Sequence, residues 1–141
     1  MKIVVNSCFG GFRLSERAVE MIMSRKMGSC FKYAQTKYDF QDGFNEYVRY
    51  EERPPKPFLV SYYCVRDLGH VVNRLPDEVI WDEYGIRRDD PDLVNTVEEL
   101  GERANTGVSR LEVVEIPDGV EYEIVGYDGL ESIHVKHRVW S

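Results

Sequence analysis

Two arginines stand just before the best-marked helix of the chain. In GIRRDDPDLV, Arg87 and Arg88 precede Asp90, a residue type that caps helices, and Pro91, which suits a first helical position. A helix start gathers N–H groups without intrahelical partners and favours anions, and guanidinium forks bond phosphate oxygens in pairs. The same arginines can instead pair with Asp89 and Asp90 as a solvated cluster. RANTGVSR leaves that helix as a small-residue loop. In it, Asn105, Thr106, Gly107, Ser109 and Arg110, with Arg103, have the composition of an anion cradle or of a simple helix stop. Near the chain end Arg138 lies two residues from Trp140. A guanidinium beside an indole suits base stacking, and also suits an ordinary exposed strand pair. In CFGGFRLS, Phe9, Gly10 and Gly11 follow a strand pattern and either touch a ligand or turn the chain. The GxGxxG spacing and parallel βαβ alternation of a dinucleotide loop are both missing.

Catalytic patterns are scarce. The sequence has no Walker A, HExxH or GxSxG motif. His134 and His137 are three apart, which on a strand points them to opposite faces and makes them poor co-ligands. His70 has no evident partner. Cys8 sits beside the glycine loop near an expected helix start, where a thiol pKa can fall, but a buried structural cysteine is the plainer reading. Asp89, Asp90 and Asp92 crowd one loop. They suit either a metal-dependent hydrolase or helix capping. We expect no catalytic residue, no metal and no cofactor.

Composition narrows the classes further. The 141 residues suit a single domain, 1–141, with a variable aromatic-rich insertion at about 30–80. Cys8, Cys30 and Cys64 are odd in number and form no CxxC, so neither a zinc site nor a disulfide framework is expected. No apolar run is long enough for a membrane span, and no secretory signal is expected. The net charge of -7 is uneven. Residues 1–60 carry 10 Lys and Arg against 7 Asp and Glu, and residues 61–141 carry 8 against 18. Such an acidic surface argues against duplex nucleic acid, whose affinity rests on phosphate neutralisation. It leaves room for a small anion in a local site.

Elements to position these residues can be read in outline. Residues 2–6 form a β-branched strand. Ser15 caps a helix from 16 to about 25, with Leu14 and Val19 at the spacing of a hydrophobic staple. Residues 31–57 show neither period and read as partly irregular, with one short helix or hairpin, until RPPKP breaks any element. Residues 58–65 form a strand. The second helix carries Leu93, Val94, Val97, Leu100 and Ala104 as one stripe, and ends at Gly101 or at Asn105–Gly107. Residues 111–116, 121–127 and 132–140 read as three successive strands of a C-terminal β-meander, joined at PDGV and DGLE. The fold class is α+β, mainly antiparallel sheet with this meander and two helices; that it assembles as a homo-oligomer is implied by the resemblance described next.

The opening MKIVVNSCFGGFRLS, the helix RDDPDLVNTVEELGERANT, the run LEVVEIPDGVEYEIVGYDGLE and the closing KHRVW together resemble a family of small phage proteins. This is the first family of anti-Thoeris sponges, and the match covers roughly residues 1–25 and 85–140. The resemblance implies a homohexamer, a trimer of dimers, that sequesters cyclic ADP-ribose isomers made by TIR-domain sensors. Some members also hold cyclic di- or trinucleotides, and no bond is cleaved. It implies a phage- or prophage-encoded protein in the bacterial host cytoplasm. One departure is visible: Arg13 stands where the family's opening motif has a glycine. The competing classes are a metal-dependent nucleotide hydrolase using Asp89–Asp92 and an acidic protein that binds and inhibits a host defence factor.

Overall fold

The computed structural model describes residues 1–38 and 45–136. It is an α+β structure with mostly antiparallel pairing and two α-helices. The chain divides into two compact units, residues 1–22 with 83–141, and residues 23–82.

The first unit is built around β1 (Lys2–Asn6), whose residues 3–6 are all buried. So apolar a strand needs cover on both faces, as in sheets packed on two sides. Its partner is β7 (Leu111–Glu115), antiparallel, with Lys2 opposite Glu115 and Asn6 opposite Leu111. Helix α2 (Pro91–Leu100) buries Leu93, Val94, Val97 and Leu100, and Lys2 Nζ reaches Glu98 of this helix at 3.0 Å. The hairpin of β8 (Tyr122–Tyr127) and β9 (Leu130–Val135) supplies the other cover. Its Tyr122, Ile124, Ile133 and Val135 pack on Ile3, Val5 and Ile116.

This corrects the meander. Residues 111–116 do not pair with 121–127: β7 pairs with β1, and β8 and β9 form a separate two-stranded sheet. The reason lies in β1, which lacks a neighbour in sequence and must recruit one from far along the chain. Both turns behave as read: Asp118 and Gly119 (φ 77°) turn the chain between β7 and β8. Asp128 (φ 49°) and Gly129 (φ 86°) both take positive φ between Tyr127 and Leu130, the geometry of a tight two-residue hairpin.

The second unit is a five-stranded sheet ordered β5-β3-β2-β4-β6. Its strands are β2 (Phe31–Tyr38), β3 (Asn45–Tyr50), β4 (Val60–Cys64), β5 (Val71–Val72) and β6 (Ile80–Trp81). Of the readings of 31–57 the hairpin holds and the irregular one is corrected: two full strands pair antiparallel there. Four consecutive residues of β2, Lys32 to Gln35, are buried, so both faces are covered and no alternation survives in the sequence. A register shift between Gln35 and Lys37 blurs the period further. The core of this sheet is Tyr33, Cys64, Leu75 and Val79. Tyr33 Oη donates to the Gly69 carbonyl at 2.8 Å and accepts the Leu68 N–H at 2.9 Å, which pins the loop after β4.

Burial pushes the Cys64 thiol up to about 11. The thiol of an unfolded chain ionises at roughly 8.5, so raising the pH through that value favours the unfolded state until Cys64 itself ionises. Iodoacetamide at mildly alkaline pH is expected to alkylate the half-buried Cys8 and Cys30 of the native protein and to spare Cys64. Mass spectrometry should show the third adduct only after denaturation. Modification of Cys64 at the rate of the other two would contradict its placement.

Helix α1 (Glu16–Met27) begins as the sequence indicates: Ser15 Oγ accepts the Ala18 N–H at 3.2 Å. Helix α2 starts with Asp90 Oδ1 accepting the N–H groups of Asp92 and Leu93, and Pro91 follows the cap. It ends at Leu100, and a 3-10 turn, Gly101–Ala104, carries the chain on to Asn105. Both stop signals read from the sequence are therefore used in succession.

Candidate functional site

The candidate residues meet around Asn6, at the end of β1. This side chain is fully buried, and each of its polar atoms is used. Its Nδ2 donates to the carbonyls of Cys8 and Gly129, both at 2.7 Å, and its Oδ1 accepts the Arg110 N–H at 2.8 Å. One amide thereby joins the glycine loop, the 105–110 loop and the β8–β9 turn. Backbone contacts tighten the same cluster. Gly10 N–H donates to the Asp128 carbonyl at 3.1 Å, and Ser7 N–H to the Arg110 carbonyl at 2.7 Å.

Of the two adjacent glycines, Gly10 fits its place because a side chain there would clash, whereas Gly11 has open space and only a positive φ of 107°. Gly10 has φ 137°, and a Cβ there would collide with the Val108 carbonyl. Gly129 faces the pair across the cluster, and its Cβ would lie 2.6 Å from the Gly10 nitrogen. Gly10 and Gly129 thus let three backbone segments approach to contact. Phe12 is buried, whereas Phe9 is 61% exposed.

Arg87 and Arg88 part company. Arg87 is solvated and pairs with Asp89, Nε to Oδ1 at 3.1 Å, as the alternative reading has it. Arg88 turns inward. It forms a two-pronged pair with Glu131 at 2.6 and 2.8 Å, and its Nη1 donates to the Val4 carbonyl. Its guanidinium lies 3.6 Å above the centre of the Phe12 ring. Glu131 Oε1 also accepts the Asn6 N–H at 2.8 Å. Arg88 is a strut in this geometry, and a ligand would have to displace Glu131 to reach it. The α2 start is closed in the same sense, because Asp90 occupies its N–H groups.

The 105–110 loop also bonds inward. Asn105 Oδ1 accepts the Leu111 N–H at 2.8 Å. Ser109 Oγ accepts the Thr106 N–H at 3.0 Å and donates to the Arg13 carbonyl at 2.8 Å. Thr106 Oγ1 accepts the Val108 N–H. The hydroxyls expected to cradle an anion instead fold the loop onto the chain entering α1. Gly107 is exposed, and so is the Arg110 side chain. Arg138, with His137 and Trp140, lies outside the described residues.

What the cluster turns outward is a set of rings and guanidiniums. Phe9, Val108 (48% exposed) and Tyr127 (73% exposed) stand on the three loops that Asn6 joins. Sequence reading did not single out Tyr127. Its signal was the period-two run of β8, which sets Tyr127 on the face opposite Ile124, just before an Asp-Gly turn. The aspartates near α2 are engaged by Arg87 and by the helix cap. Among the described residues no three His, Cys, Asp or Glu side chains gather at a metal-holding distance. No helix of the described residues is long and apolar enough to cross a membrane.

The fold defines an α+β protein of two compact units, with the candidate site in the first. No family model, curated protein or solved structure matches this chain.

Proposed function

We propose that this protein binds cyclic nucleotide signals and holds them intact, as a phage-encoded sponge in the host cytoplasm. The ligands are cyclic ADP-ribose isomers or cyclic di- and trinucleotides. The observation that carries the reading is the ordered resemblance of residues 1–25 and 85–140 to the anti-Thoeris sponges. The geometry is compatible with it. The residues of the glycine loop, the 105–110 loop and the last hairpin turn share one cluster, which presents aromatic rings and guanidiniums and is built mainly of inward-facing hydrogen bonds. Rings stack on bases and guanidiniums take phosphates, and neither interaction requires a proton donor or nucleophile. A sponge must compete with a receptor, and affinity near 1 nM corresponds to about -12 kcal/mol. Enclosure of a small polar ligand at that affinity favours pockets completed by a second subunit, as in a homohexamer.

The test is recovery. Purified protein is incubated with cyclic ADP-ribose, freed of unbound ligand and heat-denatured. Release of the intact cyclic nucleotide is the expected result, and native mass spectrometry of the loaded protein should give six subunits. Release of an opened product would replace the sponge by an enzyme.

A further inference from the structure

Three arginines in the candidate cluster have no ion-pair or hydrogen-bond partner for their side chains among the described residues: Arg13, Arg103 and Arg110. Arg49, Arg87 and Arg88, by contrast, each hold a carboxylate. All three are exposed, and the backbone stitches them together. Ser109, next to Arg110, donates to the Arg13 carbonyl at 2.8 Å. Ser15, two residues past Arg13, donates to the Arg103 carbonyl at 2.6 Å. Beside them stand Phe9 and Tyr127, each the chain neighbour of one end of the Gly10–Asp128 hydrogen bond. Both rings are exposed, Phe9 at 61% and Tyr127 at 73%, on segments bonded to those that carry the arginines.

We propose that this patch is a two-part nucleotide site: Phe9 and Tyr127 take a planar base, and Arg13, Arg103 and Arg110 take a diphosphate. It rests on the nucleotide-binding reading above and assigns that reading to residues other than Arg87 and Arg88. Base stacking on exposed aromatics tolerates any base, and the guanidinium forks fit adjacent phosphates. The arginine contribution is screened by salt, whereas the stacking contribution is not.

Calorimetric titration of the full chain tests the assignment with two probes, cyclic ADP-ribose and ADP. Two double variants are compared with wild type, Phe9→Ala with Tyr127→Ala, and Arg13→Ser with Arg110→Ser. Because all four positions are exposed, unchanged melting temperatures are expected and confirm folding. Each double variant should weaken both ligands at least tenfold, and the salt dependence should be lost only in the arginine variant. If wild type binds cyclic ADP-ribose and both variants match it within twofold, the patch is not the site and the sponge reading stands. If wild type binds ADP through these residues but not cyclic ADP-ribose, the site stands and the sponge reading falls. Binding of neither probe overturns both.

Discussion

Gly129→Ala is expected to destabilise the protein by about 3 kcal/mol or more, whereas Gly119→Ala costs about 1 kcal/mol. Both glycines have positive φ, 86° and 77°. A side chain at either place therefore bears the same conformational penalty. The surroundings differ. Nothing lies within 4 Å of a Cβ at Gly119, whereas at Gly129 it meets the backbone nitrogens of Gly10 and Gly11. Backbone cannot swing aside as a flexible side chain does, so the hairpin must lift from the glycine loop. Lifting it breaks the Asn6 to Gly129 and Gly10 to Asp128 hydrogen bonds. Urea unfolding of the two variants measures the contrast. Equal losses would mean that the close approach of the three glycines is not sustained in solution.

The second large effect is at the Arg88–Glu131 pair. Both side chains are mostly buried, at 21% and 13% exposure. Removing one partner of such a pair leaves a charge without its counter-charge in a poorly solvated place, at a cost of about 3 kcal/mol. Glu131→Ala also strips the Asn6 N–H of its acceptor. Arg88→Ala uncovers the Phe12 ring. The double variant should lose clearly less than the two singles added together, because neither charge is then stranded. Additive losses in urea unfolding, or single losses below 1 kcal/mol, would mean that the pair is solvated and the strut absent. The pair also decides how an arginine variant is read in a binding assay. A loss of binding in Arg88→Ala accompanied by a lower unfolding midpoint reports loosened loops rather than a lost ligand contact.

The parts of this fold legible in the sequence are those governed by neighbours in the chain. Asp90 and Pro91 mark α2 because a cap acts over three residues. Asp128–Gly129 marks a tight turn because positive φ is a local demand. The period of β2 is lost because both its faces are covered, and that of β3 because its residues are almost evenly half-buried. The partner of β1 was hidden because strand pairing over more than a hundred residues leaves no local trace. At the candidate site the same division holds. The residue types were visible, and so was the Arg87–Asp89 alternative. That Arg88 holds Glu131, 43 residues later, and that Asn6 is the joint of three loops are facts of the assembled fold. Nothing about an asparagine at the end of an apolar strand announces that task.

The order of segments along the chain has a consequence for synthesis. Residues 23–82 form a contiguous unit and can close as soon as they have left the ribosome. The first strand cannot. Its Ile3, Val4 and Val5 wait for Leu111–Glu115, and their second cover arrives only with Tyr122–Val135. From the synthesis of Lys2–Asn6 until that of Leu111–Val135 the chain therefore carries a bare, strongly β-forming strand. That strand is open to wrong pairing until the β8–β9 hairpin is made.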